Sequence, residues 1–346
     1  MTPPVTALAD IARLRRRHRA RRLRLVGLLL AVITALIALT LTLGQSFTPP
    51  AIVLRVLSGQ DMPGASFTIL DLRLPRAVLA VLAGLCFGLG GVSFQTMLGN
   101  PLASPDIIGI SSGAGAAAVF AIVILSLSGT TVSVIAVAAG LGVALLIYLL
   151  SWQQGVAGAR LILVGIAISA MLQSVTAWIL TQAPSWSLQE ALRWMTGSIN
   201  GATLSQALPL LIALLVFATL LLAQSRNLEA LRLGDDTAAG LGVRTGRTRI
   251  VVICSAVALV AFATAATGPI AFVAFLSGPI ATRLTRTGAA PLIPAACIGA
   301  ILVLGADYAG QFLLPDRYPV GVVTGVLGAP YLIYLVIREG RTGGSA

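Results

Sequence analysis

The sequence predicts an all-α polytopic membrane protein, about ten transmembrane helices packed as one bundle. Three observations carry this. Of 346 residues, 57% are hydrophobic and 10% charged, with mean hydropathy +0.97, whereas a globular domain carries about 25% charged residues. The apolar residues come in runs of about 20 without a polar face, long enough to cross the hydrocarbon core of a bilayer. All 23 basic residues are arginines, and they gather at the ends of the apolar runs. The net charge of +12 therefore reports membrane topology rather than nucleic-acid binding. This composition argues against a soluble enzyme.

Residues 1–24 form a polar tail ending in LRRRHRARRLR. It is too basic and too long for the n-region of a signal peptide, and no small-residue cleavage site follows, so 25–43 reads as a retained first span. The arginine cluster is expected to anchor topology, with anionic-lipid contact as the alternative. His18 lies inside it and does not read as a ligand. Residues 44–72 hold Pro49-Pro50, a short amphipathic piece at 52–57 and an Asp61-Met62-Pro63-Gly64 turn. The second span follows at about 76–98 and the third at about 107–127. The fourth runs over about 132–150 and the fifth over about 161–181, separated by a small glycine-rich loop at 151–160. Residues 182–205 are polar, and Leu188, Leu192 and Met195 fall at helical spacing, which predicts a short helix lying on the membrane. Trp186 and Trp194 suit an interfacial belt.

The sixth span is about 206–223. A basic loop at 224–249 precedes the seventh, about 249–267. Gly268-Pro269 turns into a short eighth span ending near 282. The ninth, about 291–309, and the tenth, about 319–337, lead to a tail at 338–346. Pro279, Pro291 and Pro294 interrupt spans eight and nine. Ten spans put both termini on one side. Eighteen arginines then lie on that side and five (Arg55, Arg73, Arg76, Arg193, Arg317) on the other, the bias expected if the termini are cytoplasmic. Cys86, Cys254 and Cys297 sit inside predicted spans without metal-ligand spacing and read as small packing residues. In this division, 1–24 is a cytoplasmic tail, 25–337 a single transmembrane domain and 338–346 a second cytoplasmic tail.

The stretch over 73–114 organises the rest. Arg73 and Arg76 flank Leu74-Pro75. A span containing Gly84, Gly88, Gly90 and Gly91 follows, then Gln95, a turn at Asn100-Pro101, Pro105, Gly109 and Gly113-Ala114. Glycines suit close helix contact in lipid, and Asn-Pro is a turn signal. The ordered pattern R-L-P-R, Q-x-x-x-x-N-P-L-A-x-P-x-x-x-G-x-x-x-G-A resembles the permease subunits of bacterial ABC importers for iron-siderophores, haem and vitamin B12, the FecCD-like or BtuC-like family. Arg283, Asp307, Pro319, Gly321, Thr324, Gly328 and Pro330 continue the match, which runs from about Arg73 to Arg338.

The resemblance implies a BtuC-like (type II importer) bundle in the bacterial plasma (inner) membrane. No residue of the chain is implied to be catalytic and no cofactor or metal to be bound by it; ATP and Mg sit on a partner ATPase. The implied partners are that ATP-binding subunit, a second permease and an extracytoplasmic solute-binding protein, with ferric siderophore as cargo. Haem and cobalamin are alternatives, and an ion-coupled secondary transporter is a different class of reading, disfavoured because paired charges are not evident within the bundle. L-G-D-x-x-A-x-x-L-G-V in the basic loop resembles the coupling segment that seats in the ATPase, through Gly234, Asp235, Asp236, Ala238, Leu241, Gly242 and Val243. Asp235 or Asp236 can cap a short helix there, and Gly240 or Gly242 can end it. Gly158, Ala159 and Arg160 match the region that narrows the cytoplasmic end of the pathway. Arg73, Arg76 and Arg317 are the implied docking cations for the binding protein, since the guanidinium fork binds carboxylate bidentately; for Arg73 and Arg76 the alternative is snorkelling to the lipid headgroups. Asp307, near the outer end of span nine, reads as functional or as a capping or inter-helix hydrogen-bonding group. Three departures stand out: no His between Pro279 and Arg283, Tyr318 where an acid is usual, and Gln311 where an arginine is usual. They favour pairing with a non-identical permease over a homodimer.

Overall fold

The structure, a computed structural model, describes residues 5–105, 109–151, 158–285 and 290–342, and among these every regular element is helical. Helix α1 (Val5–Thr42) begins well before the first apolar run. Its extension through the polar tail has a local cause: 5–24 is mostly Ala, Leu and Arg, strong helix formers, and contains no Gly or Pro. Helix α2 (Pro50–Leu57) has Pro50 in its first turn, where a missing N–H costs nothing, and buries Val53 and Val56.

A π-helical turn (Phe67–Arg73) then runs without a break into α3 (Leu74–Leu98), so the second span starts earlier than the hydropathy pattern places it. The wide turn fits Pro75. A proline lacks the N–H for Asp71 and its ring would crowd that carbonyl, whereas Leu74 N–H reaches back five residues to Ile69.

Helix α3 is the hub of the bundle. Its glycines meet backbone: a Cβ at Gly84 would overlap the Gly299 carbonyl, one at Gly88 the Ala295 carbonyl and one at Gly91 the Ala274 carbonyl. Within lipid, where apolar burial gives little net drive, such contact is what holds helices together. The helices that use it are α11 (Thr245–Thr267), α12 (Val273–Thr285) and α13 (Leu292–Phe312). Helices α4 (Ile110–Val123), α5 (Thr130–Ser151), α6 (Gly158–Thr181) and α8 (Leu204–Ala223) flank this centre. They leave large apolar side chains such as Leu149, Leu163, Ile166 and Leu215 exposed, the pattern of a lipid-facing or partner-facing surface. Helix α14 (Val320–Thr342) is the last of the described helices.

Among the described residues, seven helices are long and apolar enough to cross a membrane, and α4 and the 320–335 part of α14 are shorter apolar helices. With the 13-residue α12, interrupted by Pro279 and too short to cross a bilayer alone, they correspond in order to the ten expected spans. The chain is thus a multi-pass membrane protein. The polar 182–205 segment does contain a helix, α7 (Ser185–Thr196), but its buried residues are Ser187 and Ala191; Leu192 is exposed and Leu188 only half-buried. Helix α7 is a surface helix with one face against the bundle. It is stitched to the bundle, with Ser198 N–H donating to the Thr267 carbonyl at 2.7 Å and Gly321 N–H to the Gly197 carbonyl at 3.1 Å. At Gly321, a Cβ would overlap the Thr196 carbonyl, which explains this motif glycine.

Candidate functional site

The two ends of the bundle differ in chemistry. At the arginine-rich end, two short helices follow α8: α9 (Ser225–Leu231) and α10 (Asp235–Gly240). Helices of this length are unstable alone in water, and these are seated on the bundle through Leu228, Leu231 and Ala238, with Val243 packed on the same core. Gly234, not an aspartate, is the N-cap of α10, in a positive-φ conformation that a side chain would strain. Asp235 instead pairs with Arg249 at 2.9 Å, and Asp236 is exposed in the first turn. The helix ends at Gly240. Left-handed Gly242 donates to the Ala239 carbonyl at 2.9 Å and Val243 to the Ala238 carbonyl at 3.0 Å, a Schellman closure. The result is a compact knob on which Leu233 (63% exposed) and Leu241 (65% exposed) are left uncovered. Leu233 opens the same motif that contains Leu241, and the motif pattern does not separate these exposed leucines from the buried Leu228 and Leu231.

Beside the knob lies a cavity of about 310 Å³ lined by Gln95, Asn100, Pro101, Arg232, Thr282 and Arg283, among others. The motif residues build its wall. The buried Gln95 amide donates to the Pro101 carbonyl at 2.9 Å and to the Phe275 carbonyl at 3.0 Å, tying α3, its following turn and α12 together. Asn100 Oδ1 accepts from Leu102 N–H at 2.8 Å. Left-handed Gly99 ends α3 and left-handed Gly109 opens α4, while Gly113 makes room for Val143. The Arg283 guanidinium lies over the rings of Tyr331 (5.5 Å) and Tyr334 (5.1 Å), joining α12 to α14. Gly158 and Ala159 form the first turn of α6, followed by half-buried Arg160. The preceding loop residues of this expected narrowing, 155–157, lie outside the described residues.

At the opposite end, a mouth of about 700 Å³ is lined by Arg73, Arg76, Arg193, Gln311 and Arg317, among others. Two of the expected docking cations are engaged within the chain. Arg73 donates to the Leu41 carbonyl at 2.8 Å and the Ser46 carbonyl at 2.7 Å, closing the end of α1 and the loop after it. Arg76 grips Asp307 bidentately, Nε to Oδ2 at 2.5 Å and Nη2 to Oδ1 at 2.7 Å. Asp307 is thus not a cap but an inter-helix hydrogen-bonding group, one of the readings its position offered. Its carboxylate, 3% exposed, is one half of an ion pair that joins α3 to α13, a paired charge the sequence pattern did not display. Arg317 and Arg193 are exposed and have no ion-pair partner among the described residues. Gln311 donates to Asn200 Oδ1 at 3.3 Å, on the same rim. Arg193 was legible only as a charge in a polar segment.

A glycine-stapled bundle with an apolar knob at one end and an arginine-lined mouth at the other has the form of a multi-pass membrane permease. Residues 28–338 match the FecCD transport family, and the chain belongs to it. It is 38% identical over 293 residues to the ferric enterobactin transport system permease protein FepG of Escherichia coli, covering 84% of this chain and 88% of that one. It is 37% identical over 318 residues to the achromobactin transport system permease protein CbrC of Dickeya dadantii, covering 91% of each. A solved inward-facing metal-chelate type ABC transporter superposes with a TM-score of 0.81 at 25% identity, over 91% of this chain and 99% of that one.

Proposed function

We propose that this chain is the permease subunit of an ABC importer that takes up ferric siderophore by alternating access, driven by a separate ATPase. The observation that carries the reading is the knob. A segment seated as firmly as α9–α10, yet presenting Leu233 and Leu241 outward, has the form of a surface made for a partner. Membership of the FecCD family and the names of FepG and CbrC support a ferric chelate as cargo. The arginine bias supports an orientation with α9–α10 and both termini cytoplasmic, in a bacterial plasma membrane. Binding-protein docking then falls to the outer mouth, with Arg193 and Arg317 supplying accessible charge and Arg73 and Arg76 holding the rim in shape.

A second permease is part of the proposal. Helix α6 packs mainly on α4 and α5 and leaves Leu163, Ile166, Met171 and Trp178 exposed, with polar Gln173 exposed near its middle. A polar side chain at that depth suits a protein interface or a polar pathway rather than lipid. Both FepG and FepD, two permease proteins named for one ferric enterobactin system, are relatives at 38% and 35% identity. With the departures at Gln311, Tyr318 and the missing His, this favours a heterodimer. Reconstitution of the chain with its ATPase, its binding protein and a candidate second permease, supplied with a panel of labelled ferric chelates, haem and cobalamin, tests the cargo. Uptake of a ferric chelate is expected; uptake of cobalamin or haem alone would overturn that assignment while leaving the permease reading intact.

A further inference from the structure

An open cleft of about 630 Å³ lies between α1 and the end of α12, lined by Arg17, Arg21, Arg24, Leu25, Leu28 and Leu284. The three arginines stand at i, i+4 and i+7 and so share one face of α1. Leu28 continues that stripe four residues, about 6 Å, further along the axis. All three arginines are exposed, and none has an ion-pair partner among the described residues. Arg24 spends its Nε–H on the Ala20 carbonyl, which leaves its terminal N–H groups for a ligand. The opposite wall is Leu284, 46% exposed at the end of α12. A cleft with several guanidiniums at one end and leucines at the other matches a molecule with an anionic head and hydrocarbon tails.

We propose that this cleft is a specific binding site for one anionic phospholipid of the adjoining leaflet, its phosphate held by Arg17, Arg21 and Arg24 and an acyl chain lying along Leu25, Leu28 and Leu284. A topology anchor needs only the summed charge of the tail. A site needs these three arginines and not Arg16, Arg19 and Arg22, which project from other faces of the same helix. The proposal does not depend on what the permease carries.

Native mass spectrometry of the purified full chain, with phosphatidylglycerol and phosphatidylcholine of identical acyl chains, tests it. Preferential retention of phosphatidylglycerol is expected. Each arginine beside an anionic surface contributes roughly a fivefold factor in affinity, so R17Q/R21Q/R24Q should lose about two orders of magnitude. R16Q/R19Q/R22Q, with the same charge removed, should lose far less. Leu284→Trp, which fills the cleft at unchanged charge, should also lower retention, and it reads the site even if the triple variant fails to insert. Equal retention of the two lipids, equal losses in the two triple variants, an unaffected Leu284→Trp, or displacement of the bound lipid by inorganic phosphate would each overturn the proposal.

Discussion

Replacing Arg76 by Leu removes one partner of the Arg76–Asp307 pair and leaves a carboxylate that is 3% exposed. Breaking a buried ion pair from one side costs about 3–5 kcal/mol, because the remaining charge has lost its compensation. Arg76 is itself 19% exposed, and water can reach part of the site, so a loss near 3 kcal/mol is expected. The same reasoning gives a similar loss for Asp307→Leu. It gives a much smaller one for the double variant, because an apolar pair of similar volume often substitutes for a buried ion pair at little cost. The assay is thermal unfolding of the purified chain in one detergent for wild type, both single variants and the double, analysed as a double-mutant cycle. A coupling energy of about 2 kcal/mol or more, with the double variant more stable than either single, is the expected result. Strict additivity would refute the reasoning, because it would mean that the two groups do not depend on each other.

Three further outcomes follow from the same geometry. Gly91→Leu should prevent assembly of a stable bundle, since its Cβ would overlap the Ala274 carbonyl; Gly115→Ala in α4, where the space is open, should be neutral or stabilising by up to about 1 kcal/mol, and size-exclusion profiles and unfolding curves separate the two. Leu233→Asp with Leu241→Asp should leave insertion intact and weaken ATPase association by about 2 kcal/mol per side chain, the scale of an interface hot spot, read by co-purification. Arg193→Glu with Arg317→Glu should weaken binding of the solute-binding protein more at low salt than at high, whereas Arg73→Glu should lower thermal stability, because its bonds to Leu41 and Ser46 are internal.

Local pattern made much of this fold legible. The spans follow from hydropathy, and the glycines of α3 announced close packing that the structure places against α12 and α13. The turn at Asn100-Pro101 and the glycine-ended close of the small helix in the basic loop were likewise written in turn chemistry. What stayed hidden was what depends on distant partners. Arg76 and Asp307 lie 231 positions apart, so their union is a property of helix packing and not of spacing. Arg73 resembled a free cation because the carbonyls that hold it belong to the end of a different helix and the loop after it. For α7, the leucine spacing announced the helix, but not that the small residues Ser187 and Ala191 are the ones buried against the bundle. The π-helical turn before Pro75 is the local adjustment of a helix that must accommodate proline, and hydropathy carries no signal of it. Asp235 illustrates a milder miss. Placed well to cap α10, it faces Arg249 instead, and left-handed Gly234 takes the cap position.

The central claim is that ATP hydrolysis on a partner drives a ferric chelate through this chain. Its most direct test is uptake of radio-iron-loaded siderophore by proteoliposomes containing the reconstituted complex, with ATP and ionophores varied independently. The account predicts uptake that requires ATP, withstands proton and sodium ionophores, and disappears in the Leu233→Asp/Leu241→Asp variant. Uptake that continues without ATP and collapses when an ionophore is added would contradict it and point to an ion-coupled carrier.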